Sequence, residues 1–166
     1  MGKMEQANRT VDRFAEWIRY GDAKAAGVLV VPALGLADLL NHGRQLSHAH
    51  SYESNWGLVA SACFWLALIL VVLVVGEVSR ALFPKTRPTS ESVLYFGTVA
   101  KLTNNEYRTT FNALTDAEML TQLTNQAWEL AGIAGTKFRR TKIAFWLALG
   151  FLAAWAVARL AFTLAS

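Results

Sequence analysis

The chain has 166 residues, carries a net charge of +4 from 16 Lys+Arg against 12 Asp+Glu, and is 54% hydrophobic. That length suits one compact unit, and the apolar content exceeds the roughly 45–50% of soluble domains. A charge this modest does not argue for nucleic acid, and a single cysteine, Cys63, excludes both an intramolecular disulfide and a cysteine-rich metal site.

The first predicted element is an amphipathic helix over 1–22, because Met4, Val11, Phe14, Ala15 and Ile18 share one face. The first apolar stretch, 23–40, follows with little break. A bilayer core of about 30 Å needs about 20 apolar residues, and this stretch qualifies despite Lys24, Asp38 and the central Pro32. A short polar loop, 41–54, contains His42, His48 and His50; a polar loop explains them better than a metal site, since only Glu53 adds a carboxylate nearby. The second span, 55–76, holds no charge, and the third, 143–165, holds only Arg159. Between them, 77–142 reads as a helical segment. It has a Pro-rich linker at 84–90, helical sequence from Glu91 to Leu114 interrupted at Asn104-Asn105, and a capping box from Thr115 to Glu118. From there Leu120, Leu123, Ala127, Leu130, Ala134 and Phe138 form an apolar stripe, and no proline follows, so one helix is expected from about Asp116 to the end of the third span.

The fold expected is therefore all-α: an integral membrane protein with three transmembrane helices continuing into a cytoplasmic helical bundle. Basic residues set its orientation. Lys3, Arg9, Arg13, Arg19 and Lys24 lie before or at the start of the first span, Arg44 alone lies in the first loop, and Arg80, Lys85, Arg87, Lys137, Arg139, Arg140 and Lys142 cluster at the membrane ends of the long segment. The positive-inside rule then places the N-terminus and the long segment in the cytoplasm and the C-terminus outside.

Asp22 and Lys24 at the mouth of span one should share a membrane depth with Lys137, Arg139, Arg140 and Lys142 at the mouth of span three. Such a cluster suits an anionic phosphate ligand, with Asp22 orienting a lysine or accepting from a base or sugar. The plainer alternative is positive-inside anchoring with one Asp–Lys salt bridge. Tyr107 offers a ring for a nucleobase or, equally, for core packing. Asp38 and Arg159 are ionisable groups in spans; Asp38 is a candidate pore or proton-relay residue, and Arg159 is placed to reach the outer headgroups. No catalytic pattern is present, so no enzyme, cofactor or metal is expected.

Several short motifs occur in one order: Asp22-Ala-Lys24-Ala-Ala, then Tyr95-Phe96-Gly97, then Glu106-Tyr107, then Lys137-Phe138. From about Arg13 to Trp155 this series resembles the membrane effectors of Pycsar, the pyrimidine cyclase system for antiphage resistance. Phe138 departs from it, standing where a Tyr is expected. The resemblance implies a bacterial inner-membrane protein, functionally paired with a pyrimidine cyclase. It implies binding of cyclic UMP or cyclic CMP, impairment of the membrane and abortive infection. Asp22, Lys24, Tyr107, Lys137, Arg139 and Arg140 are the expected ligand residues. The lipid bilayer and further copies in a homo-oligomer are the other expected partners, and nucleic acid is not. The competing reading is a membrane scaffold, or a small channel subunit gated by a protein partner, that binds no nucleotide.

Overall fold

A computed structural model describes residues 2–47, 55–83 and 92–165 of the chain. The described residues form five helices and no strand: α1 (Lys3–Ser47), α2 (Asn55–Leu82), α3 (Phe96–Val99), α4 (Asn104–Ala113) and α5 (Asp116–Ala165). Helices α1, α2 and α5 are long and apolar enough to cross a membrane. The structure is thus the all-α membrane architecture that the apolar blocks predict. The first loop starts later than expected, because α1 persists through Asn41–Ser47. His48, His50 and Glu53 and the 84–90 linker lie outside the described residues.

The helices divide into two units, 1–20 with 84–136 and 21–83 with 137–166. Residues 77–83 and 137–142, the two ends of the long segment between the second and third spans, belong to the second unit.

In the first unit the α1 face carrying Met4, Val11, Phe14, Ala15 and Ile18 is half-buried, with Ala7 buried beside it. On α5, Leu123, Ala127 and Ala134 are buried on the predicted stripe. Gln122 anchors the chain entering α3: its Oε1 accepts from Ser92 Oγ at 2.8 Å and from Val93 N at 3.2 Å. The Tyr95 ring then lies over Gly97, where an added Cβ would stand 2.5 Å from Tyr95 Cε1. A side chain at that position forces the ring away.

The expected interruption at Asn104-Asn105 is corrected by the structure. Those residues open α4, and the break lies before them, because Thr103 caps the helix and Glu106 closes the box. The T-x-x-E spacing that marks Thr115 also occurs at Thr103. The same geometry recurs at α5, where Glu118 Oε2 accepts from Thr115 N at 2.8 Å and Thr115 Oγ1 accepts from Glu118 N at 3.3 Å.

The α4 cap has a pH signature. Glu106 Oε2 accepts from the Thr103 backbone N–H at 2.7 Å and from its hydroxyl at 2.8 Å. These two bonds, the backbone one foremost, hold the Glu106 carboxyl below the usual glutamate range. An unfolded chain lacks them, so the cap stabilises α4 fully above the usual value and is lost as pH falls through the lowered one. Amide exchange in the first turn of α4, corrected for its intrinsic pH dependence, is therefore expected to accelerate as pH falls below the usual glutamate range. Glu106→Gln should remove that step, and an identical profile in both proteins would contradict the assignment.

The second unit is a three-helix bundle. Glu77 of α2 meets Arg140 of α5, whereas Ala60 at the opposite end of α2 clusters with Ala161. Asp22 meets Lys137 and Asp38 meets Trp155. Helices α1 and α5 therefore run the same way and α2 runs against both. Alanines line the seams, with Ala25, Ala60, Ala67, Ala81, Ala144, Ala148, Ala154, Ala158 and Ala161 all buried. Small residues let helix backbones approach where lipid, rather than water, surrounds them. Large apolar residues such as Leu66, Ile69, Val72, Trp146 and Leu160 face outward, as a bilayer requires.

Candidate functional site

The polar groups of the second unit gather at two places along the bundle. The first is where the apolar stretches of α1 and α5 begin. There Lys137 is almost wholly buried, its side chain 7% exposed, and it donates to Asp22, whose side chain is 39% exposed. Gly21 lies against it, with an added Cβ 3.8 Å from Lys137 Cβ. One turn of α5 further on, Arg140 donates to both oxygens of Glu77, at 2.9 and 3.3 Å, and Arg80 donates to Glu77 at 2.7 Å. Glu77 is 12% exposed, so two guanidinium groups offset one largely buried carboxylate.

The structure thus brings Asp22 to Lys137, and each to a different helix. Lys24 is two residues from Asp22, and residues two apart do not share a helix face. It lines a cavity of about 510 Å³ between α1 and α5, together with Lys142. Arg139 is exposed and makes no ion pair among the described residues, because consecutive positions on a helix diverge by about 100°. Tyr107 belongs to the first unit, where it is half-buried and its ring sits 5.8 Å from that of Phe111.

The second place lies further along the bundle, around Asp38. Its Oδ2 accepts from Trp155 Nε1 at 2.8 Å and lies 3.5 Å from Arg159 Nε, and His42 Nδ1 stands 3.1 Å from Oδ1. Asp38 and Arg159, read separately from the sequence, are therefore neighbours, with Trp155 as a further donor. No cluster of His, Cys, Asp and Glu able to hold a metal occurs among the described residues.

Two participants escape a reading of the sequence alone. Glu77 is signalled only by being the first charge after an unbroken apolar run. Thr141 gives no signal at all, yet it is buried, lines the cavity, and its hydroxyl has no hydrogen-bond partner among the described residues.

Three helices long and apolar enough to cross a membrane, with acids and bases paired where the apolar stretches of α1 and α5 begin, define an all-α membrane protein. The family model of the Pycsar effector protein domain matches residues 6–163, and the chain belongs to that family. No curated protein and no solved structure shows significant similarity to it.

Proposed function

We propose that this Pycsar effector binds a cyclic pyrimidine mononucleotide, cyclic UMP or cyclic CMP, on its cytoplasmic side and then impairs the bacterial inner membrane, causing abortive infection. The observation that carries the reading is the family match over 6–163. The basic end of the bundle supports it, because a phosphodiester monoanion needs a few cationic donors and Lys24, Lys137, Arg139 and Arg140 supply them. The charge distribution supports a cytoplasmic N-terminus and a periplasmic C-terminus. Three helices enclose no useful pore, so the active form is a homo-oligomer. A pyrimidine cyclase supplies the ligand, and the effector itself does no catalysis.

The ion pairs suggest how binding is transmitted. Asp22–Lys137 ties α1 to α5, and Glu77–Arg140 ties α2 to α5. A phosphate that accepts from Lys137 or Arg140 takes the place of a carboxylate and loosens one of these ties. Ligand contacts then differ between the tied and loosened states, which is the condition for a ligand to shift the equilibrium.

Calorimetry of the detergent-purified protein with cyclic UMP, cyclic CMP and cyclic AMP tests the reading. Saturable heat with one of the pyrimidine nucleotides and none with cyclic AMP is the expected result. No heat with either pyrimidine nucleotide would overturn it. Should Tyr107→Ala abolish binding while Lys24→Ala, Arg139→Ala and Arg140→Ala all keep it, the ligand site would instead lie around Tyr107.

A further inference from the structure

We propose that the cavity between α1 and α5 is a binding site for one anionic phospholipid, with its phosphate at Lys24 and Lys142 and an acyl chain along the apolar wall. The cavity holds about 510 Å³, within the roughly 300–1,000 Å³ range of small-molecule sites. Its charge is confined to one end. Lys24 and Lys142 each stand where an apolar run begins, and the two helices run parallel from there. The remaining wall is apolar: Val28 and Val31 on α1, and Phe138, Phe145, Leu149 and Leu152 on α5. From Lys142 to Leu152 the helix rises about 15 Å, half of the roughly 30 Å hydrocarbon core. The groove thus has the length of one leaflet, with its cations at the headgroup end.

A cyclic nucleotide uses the cationic end alone and leaves the apolar wall empty, whereas a phospholipid covers both. The lipid site therefore does not depend on the nucleotide reading.

Gly27 makes the site testable. It lines the cavity, and a Cβ added there meets nothing within 4 Å, so Gly27→Phe fills the groove without displacing a neighbour at its first carbon. The full-length protein in detergent is mixed with phosphatidylglycerol or phosphatidylcholine and examined by native mass spectrometry for retained lipid. Wild type is expected to retain phosphatidylglycerol about tenfold better than phosphatidylcholine. Lys142→Gln should bring the two to the same level, and Gly27→Phe should remove both. Equal retention of the two lipids by wild type, or wild-type retention by both variants, overturns the proposal. So does a Gly27→Phe protein that keeps its lipid but falls from oligomer to monomer by light scattering, which would make the groove a contact between copies. Calorimetry with cyclic UMP and cyclic CMP on the same samples separates the two readings: a Gly27→Phe protein that loses lipid and keeps nucleotide shows the lipid site by itself.

Discussion

Phe151→Ala is expected to destabilise the membrane-spanning bundle by about 3 kcal/mol, near the lower end of the roughly 3–5 kcal/mol seen for Phe→Ala in soluble cores. Phe151 is fully buried in the cluster of Leu39, Leu46, Phe64, Ala67, Val71 and Ala154. The loss is smaller than in water because lipid is as apolar as the core, so the ring gains no transfer energy; what disappears is its dispersion contacts. The site is also intolerant of added volume. Gly35 lies against the ring, and an added Cβ would stand 2.6 Å from Phe151 Cε1 and Cζ. Since the ring is enclosed and has nowhere to move, Gly35→Ala should cost about 1–3 kcal/mol. The two changes are expected to be less than additive, because an alanine at 151 vacates the space that the new methyl enters. Unfolding in mixed micelles, followed by tryptophan fluorescence, measures all three proteins. A Phe151→Ala loss below about 1 kcal/mol would be that of an ordinary surface change and would contradict the packing described.

Arg139→Ala and Arg140→Ala are expected to weaken cyclic-nucleotide binding tenfold to hundredfold each, the worth of one charge-assisted bond. Their effects on stability should differ. Arg139 is exposed and unpaired among the described residues, so its removal should leave stability within about 0.5 kcal/mol. Arg140→Ala leaves Glu77, 12% exposed, with Arg80 as its remaining cation, and a loss of about 1–3 kcal/mol follows. The double variant Glu77→Gln, Arg140→Gln removes both charges of the pair together and should regain stability without regaining binding. Calorimetry and unfolding on one set of samples check both halves. Full binding by Arg139→Ala and Arg140→Ala would return these residues to membrane anchoring.

By itself the sequence determined the class of the protein. Three apolar blocks of bilayer length dictate three spans, since a polar backbone crosses lipid only when its hydrogen bonds close within a helix. Thr115, Glu118 and the absence of later proline dictate the start and continuity of α5. The same T-x-x-E logic at Thr103 was equally legible, and it outweighs the turn preference of Asn104 and Asn105. The motif series from Asp22 to Phe138 carries the family, and the match over 6–163 agrees with it. Tertiary structure alone decided which charges meet. Periodicity assigns a residue to a face of its own helix, but the register between helices comes from packing, here of alanines, Gly35 and Phe151. That register carries Asp22 to Lys137 rather than to Lys24, and Arg140 to Glu77. It also places Asp38 between Trp155 and Arg159, and brings Lys24 and Lys142 to the lining of one cavity. None of these distances is encoded in spacing along the chain, because each spans two helices whose relative sliding is set by how their side chains fit.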